Sequence, residues 1–183
     1  MNRESDAVAM VAHLMALSAR TAPKARGQDC LTVSVITGAD LVALADEMRS
    51  IGEREGIGYF VRDASGVSES TACLLIGLQS MGTSALDCGG CGYPTCAEML
   101  AAQQDSPTGG MLFSGPNCAV RVTDLGIAVG SAAKTASIHN VDNRIMYTAG
   151  VAARSLGWLQ GCGVAYGIPL KASGKNIFFD RTS

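Results

Sequence analysis

The 183-residue chain is predicted to fold as one α+β domain, a layered helix/sheet structure with a cysteine-rich segment inserted at 87–118. Three observations predict it. Helical and strand-like segments intermix along the whole chain, with no proline-rich linker or composition break to mark two domains. The composition, 48% hydrophobic and 16% charged, belongs to a folded chain long enough to bury a core without disulfides. Three of the seven cysteines fall within nine residues, CGGCGYPTC (88–96), in the middle of this pattern.

Each element follows from local spacing. Val8, Val11, Leu14, Met15 and Ser18 recur at helical intervals and predict an amphipathic helix over 6–19. Pro23 and Gly27 break it in the basic turn TAPKARGQD (21–29). The β-branched run CLTVSVIT (30–37) reads as a strand. A helix over 39–50 follows, with Thr37 and Asp40 as a capping-box-like start and Gly52 just past its end. Residues 53–71 are polar and show no dominant period. ACLLIGL (72–78) is a continuous apolar run, the pattern of a buried strand. Beyond the cysteines lie a helix over 95–104, a loop over 105–117, and a long Ala/Gly/Val-rich helix over 119–138 whose Gly126 and Gly130 permit close approach of a neighbour. A helix over 144–156 ends at Gly157, CGVAYGI (162–168) is a strand, and NIFF (176–179) is expected as a last edge strand.

A formal net charge of −2 gives no electrostatic reason for nucleic acid or an anionic membrane as partner. The start MNRESD is net negative, unlike a secretory signal, and the longest uncharged window, 70–86, is too polar for a membrane span. A cytoplasmic location is therefore expected. Thiols stay reduced there, so the cysteines are candidates for metal ligands, redox groups or core packing.

Cys88, Cys91 and Cys96 have the spacing C-x2-C-x4-C, and Cys118 follows beside Pro116 after 21 further residues. Four thiolates can hold a tetrahedral metal ion or an iron–sulfur cubane. A [4Fe-4S] cluster needs a loop that wraps it and aims backbone N–H groups at its sulfurs, which Gly89, Gly90 and Gly92 permit. A helix starting near Thr95 would add its positive end. Three alternatives stay open: structural zinc, a thioredoxin-type dithiol at Cys88 and Cys91, or seven inert cysteines.

The stretch CGGCGYPTCAEMLAAQ resembles the [4Fe-4S] domain of the Rnf complex B subunit and of the corrinoid iron–sulfur protein. That resemblance implies Cys88, Cys91, Cys96 and Cys118 as the ligands, with a longer gap before the fourth than is usual. The whole chain is similar to a family of uncharacterised prokaryotic proteins containing a ferredoxin domain, through ARTAPKARGQD, CGGCGYPTC, DLGIAVGSAAKTASI, VDNRIMY and GIPLKASGKNIFFDR. ALSARTAPKARGQDCLTVSVITGADLVALADEM and SLGWLQGCGVAYGIP resemble segments of flavin-dependent nitroreductases, with Lys24 and Gly27 where those have Ser and Asn, and without their N-terminal Arg pair. This implies a nitroreductase-like scaffold. If function follows, Arg20, Lys24 and Arg26 would grip the phosphate of FMN at a dimer interface; a solvated loop is the plain alternative.

The remaining polar residues suggest little chemistry. Cys30, Cys73 and Cys162 sit in apolar runs and read as core, and His13 and His139 lack a partner at helical spacing. Ser173-Gly174-Lys175-Asn176 lacks the earlier glycine of a phosphate loop and reads as a turn, and Asp142, Asn143 and Arg144 read as helix caps. No Ser-His-Asp set or dinucleotide fingerprint is visible. The sequence reading is thus an iron–sulfur redox protein, passing single electrons to a partner protein or small-molecule acceptor. Its alternatives are an FMN-dependent oxidoreductase with the cluster as relay, and a zinc- or cluster-braced interaction module. A homodimer is expected, because the 119–138 helix has no charge between Asp124 and Lys134 and a domain this small has little interior in which to hide it.

Overall fold

The apolar run at 72–78 is continuous because both faces of its strand are covered. In the computed structural model, which describes residues 3–105, 108–110 and 112–179, the elements in chain order are α1 (Arg3–Thr21), β1 (Leu31–Thr37), α2 (Ala39–Glu55), α3 (Gly58–Ser68), β2 (Ala72–Gln79), α4 (Cys96–Asp105), β3 (Thr108–Gly109), β4 (Ser114–Gly115), α5 (Ala119–Ile138), β5 (Asp142–Asn143), α6 (Tyr147–Ser155) and β6 (Cys162–Lys171). A four-stranded antiparallel sheet has the order β1-β2-β6-β5. Ala72, Leu74, Ile76 and Leu78 of the interior strand β2 point to one face, under α1 and α5. Cys73 and Leu75 point to the other, under α2, α3 and α6. The result is three layers, helix–sheet–helix, and each fully buried Leu or Ile of β2 contributes roughly 1.5–3 kcal/mol of burial. On the second side α6 lies directly on the β6 backbone: a Cβ on Gly150 would stand 2.0 Å from the Ala165 carbonyl oxygen, so only glycine fits.

Several expectations are corrected. The sequence places the end of α2 before Gly52, but the helix continues to Glu55, with Gly56 (φ 69°) as its left-handed cap. Gly52 sits inside because its missing Cβ admits α3; a Cβ there would lie 2.9 Å from Phe60 Cβ. No capping box forms, since Gly38 is the N-cap and makes no side-chain cap bond. The polar stretch 53–71 contains a helix, α3, whose buried face is Phe60, Asp63, Ala64 and Val67. Within the predicted loop 105–117, β3 and β4 pair as a hairpin, while residues 106, 107 and 111 lie outside the described residues. The edge strand of the sheet is Asp142–Asn143, not 176–179. With β5 already on the end of β6, the 176–179 segment turns instead, and Phe178 folds inward to 5% exposure. A Cβ at Gly126 or Gly130 would meet nothing within 4 Å among the described residues beyond their own helix backbone, so no neighbouring helix of the chain approaches closely there.

Candidate metal centre

The candidate centre is built between the C-terminal end of β2 and the start of α5. Residues 80–95 leave the sheet without regular structure, and their backbone turns through left-handed conformations at Met81, Ala85, Asp87, Gly89 and Gly92. Three of these are not glycine, which is uncommon. A turn closes between Gly92 N–H and Gly89 O (2.9 Å). α4 then begins at Cys96, where Thr95 Oγ1 accepts from Glu98 N–H and Asp87 Oδ1 accepts from Cys96 N–H. Cys88 is exposed, and Cys91 and Cys96 are partly so. The loop returns to α5 at Gly90, where a Cβ would stand 3.4 Å from Ala119 Cβ and 3.6 Å from Cys88 Sγ.

Cys118 is the N-cap of α5 and is almost hidden, at 4% exposure. Burial pushes its thiol up. The backbone N–H groups of Arg121, Ser84 and Val120, together with the Ser84 hydroxyl at 3.7 Å, outweigh that and hold it below its ordinary range. A thiolate is the form that ligates metal, and these donors favour that form.

One turn further, Arg121 is wholly buried. Its guanidinium makes six hydrogen bonds, to Thr83 O twice, Ala25 O, Gln28 O, Gln28 Oε1 and Asp124 Oδ2, the last an ion pair at 2.9 Å. Asp124 Oδ1 in turn accepts from Ala25 N–H. Gln103 of α4 performs a similar task on the other side, accepting from Met81 N–H and donating to Pro116 O. Arg121 and Gln103 therefore fasten both ends of the inserted segment. Sequence reasoning missed both. The one available signal for the first was an Arg-x-x-Asp pair inside an apolar helix.

The basic turn does not present a cluster of unengaged cations. Arg20 Nη1 pairs with Asp29 Oδ2 at 2.5 Å and donates to Leu31 O. Lys24 Nζ caps α1 through the carbonyls of Ala19, Arg20 and Ala22. Arg26 Nη1 donates to Ser84 O and Ala85 O, onto the cysteine segment. Of the remaining cysteines, Cys73 is fully buried in β2, where burial pushes its thiol up to about 12, and burial also raises Cys162. Cys30 lies beside Gly82.

Among the described residues, no three His, Cys, Asp or Glu side chains are gathered at metal-ligand spacing. The donor set nevertheless suits an iron–sulfur cluster: four thiols on one segment, one of them lowered by surrounding hydrogen-bond donors, with no helix or strand over 88–95. Among the described residues no helix is long and apolar enough to cross a membrane.

A helix–sheet–helix scaffold carrying a cysteine-rich segment between β2 and α5 is the class that the fold defines. A sequence profile described as "uncharacterized protein containing a ferredoxin domain (DUF2148)" matches residues 114–181. An uncharacterized protein of Archaeoglobus fulgidus is 41% identical over 178 residues, 97% of this chain and 94% of its own length. The chain belongs to this ferredoxin-domain family. Among solved structures, the FMN and NADPH-dependent nitroreductase NfnB, as a mutant derived from sphigopyxis sp. strain HMH, superposes with a TM-score of 0.57 at 12% identity, covering 100% of this chain and 86% of its own. Nitroreductase A from Vibrio parahaemolyticus gives 0.53 at 11%, covering 96% of this chain and 60% of its own. B. megaterium NfrA1 gives 0.50 at 9%, covering 100% and 62%, so this chain spans about 60% of the length of these last two. The scaffold has the nitroreductase fold.

Proposed function

We propose that this chain is an electron carrier whose working centre is a [4Fe-4S] cluster held by Cys88, Cys91, Cys96 and Cys118. The observation that carries the reading is Cys118: a buried thiol at a helix N-terminus, lowered by four donors, at the far end of a loop bearing C-x2-C-x4-C. When bound, the cluster supplies one-electron chemistry. The chain's own residues do the rest. The N–H groups at Val120 and Arg121 favour negative charge on sulfur, Arg121 and Gln103 hold the segment's ends, and the exposure of Cys88 leaves an edge for a partner protein or small-molecule acceptor. Anaerobic reconstitution with iron and sulfide tests it. Broad absorption near ~400 nm that bleaches with dithionite is expected. Colourless protein that retains zinc in its place would make the site a structural brace.

A second reading, FMN on the same scaffold, is favoured by the nitroreductase fold. Arg20, Lys24 and Arg26 are its candidate phosphate contacts, and all three would have to leave present partners. Titration with FMN, followed by flavin fluorescence, decides it; no quenching at tens of micromolar leaves the cluster as the redox centre.

The working form proposed is a cytoplasmic homodimer. α1 exposes Met10 (65%) and Leu17 (58%), α5 exposes Ile138 (65%), and the open positions of Gly126 and Gly130 on α5 suit close approach of a second copy. Light scattering at micromolar protein is the check.

A further inference from the structure

A cavity of about 370 Å3 opens where the C-terminal ends of α2 and α6 meet the turn leading into β6. That volume falls within the range of small-ligand sites. Ile51, Val151 and Leu159 supply an apolar wall, and Arg54, Arg154 and Gln160 a polar one; no carboxylate is among the lining residues. One of the two guanidiniums has only neutral partners. Arg154 is partly buried, and its two terminal nitrogens donate to Leu112 O (2.9 Å) and Ser114 Oγ (2.7 Å), both neutral acceptors. Burial lowers the pKa of this guanidinium, and neither hydrogen-bond acceptor offsets the cost with a charge. Arg54 gives its Nε to Glu55 at 3.0 Å, and its terminal nitrogens carry no hydrogen bond among the described residues. Glu47, outside the lining, accepts from the Ser155 hydroxyl at 2.6 Å.

We propose that this cavity binds a small oxyanion, a carboxylate or phosphate head on a short apolar body, with Arg54 and Arg154 on the head and Ile51, Val151 and Leu159 against the body. An anion there supplies the counter-charge that Arg154 lacks, and planar guanidinium groups match either head in bidentate fashion. The cavity also touches both routes into the cysteine segment. Arg154 holds the hairpin that leads to Cys118, and Gly161 at its rim accepts from Ser80 N–H at 2.7 Å. The assignment stands independently of what that segment carries.

The protein holds its own probe. Trp158, the single tryptophan, lies between the lining residues Gly157 and Leu159. Benzoate, phenyl phosphate and inorganic phosphate are titrated separately into the metal-free full chain at constant ionic strength set with KCl. The expected result is a saturable change in tryptophan fluorescence with benzoate or phenyl phosphate, accompanied by a higher Tm, and weaker binding of inorganic phosphate, which lacks the body. Which of the two aromatic probes binds tighter names the head. Arg54→Gln, at an exposed position, should weaken binding about tenfold or more, the scale of one lost charge-assisted contact. Arg154→Lys retains a charge for the hairpin but loses the fork, and should weaken it similarly. Linear responses that match added KCl overturn the proposal, as does saturable binding that neither variant alters.

Discussion

Cys73 and Cys118 are both hidden from water, at 0% and 4% exposure, yet their thiols are driven in opposite directions. In β2, Cys73 faces Leu75, Ala149 and the rest of the second core; its thiol points at the Leu74 carbonyl, and burial pushes it up to about 12. At the start of α5, Cys118 meets N–H donors from two segments and is lowered. Burial alone makes sulfur a small hydrophobe; burial at a helix N-terminus, among N–H donors, favours its charged form. The same division separates two regions of the molecule. The sheet core is apolar and close-packed. The cysteine segment and its approaches are held by polar side chains: Arg121 of α5, Arg26 of the basic turn, and Gln103 from within the segment itself.

The sharpest test of that division removes one sulfur from each region. Cys91→Ala, in the segment, should abolish retention of reconstituted iron while leaving the far-UV circular dichroism unchanged, because residue 91 belongs to neither core cluster. Cys73→Ala should retain iron in full and lower Tm instead. Iron analysis on both proteins is sufficient; iron lost from Cys73→Ala as well would erase the distinction.

The next effect in size concerns the brace. Arg121→Met leaves Asp124 buried without its cation and strands the carbonyls of Thr83, Ala25 and Gln28. Removing one member of a buried pair costs about 3–5 kcal/mol. Denaturant unfolding of the metal-free protein should show this loss, with faster proteolysis between 80 and 95. The double change Arg121→Met with Asp124→Leu should recover part of it, because no unpaired charge then remains. A single variant within about 0.5 kcal/mol of the parent, the range of ordinary surface changes, would show that the brace carries no load.

A smaller effect follows from the raised thiol of Cys73. Its unfolded form ionises near the ordinary value of 9.0, whereas the folded form holds its proton to about 12. Between those values the unfolded state binds fewer protons, so stability must fall as pH rises, by about 1.4 kcal/mol per unit for one such group. Below pH 9 the contribution is complete. Tyr147, also pushed up to about 12 by burial and the Tyr59 hydroxyl, adds to the slope in the parent. The difference between parent and Cys73→Ala isolates the thiol, and parallel alkaline unfolding curves would refute it.

The same contrast explains what the sequence could convey. Segments whose burial is decided locally were legible: α1 by helical spacing, α5 by a long Ala/Gly/Val-rich run, β2 by a continuous apolar run, the pattern of a strand covered on both faces. The cysteine pattern is a local signal too, since three of the sulfurs are near in sequence. Arg121 was not, because the groups that justify burying it, Ala25, Gln28 and Thr83, lie between 38 and 96 residues away. Gln103, in the polar run AAQQD, reads as solvated and proves to be 8% exposed. The helix α3 was masked by Asp63, a charge on its inner face that Thr148 and Arg62 satisfy. NIFF reads as a strand by propensity, but the edge it would occupy belongs to Asp142–Asn143.

The least disruptive test uses one methyl group. Gly92 sits at φ 86°, and a Cβ there would meet nothing within 4 Å. Alanine at this position suffers no clash; its only penalty is the left-handed backbone, about 1–2 kcal/mol. If the segment were part of the sheet's cooperative unit, global stability would fall by that full amount. The division of the molecule into core and braced insert says otherwise. The Gly89–Gly92 turn touches no core cluster, so it can relax locally while the sheet stays folded. The expectation is an unfolding midpoint within about 0.5 kcal/mol of the parent for metal-free Gly92→Ala, with faster amide exchange confined to 88–95. Faster exchange that spread into β2 would instead join the two regions into one unit.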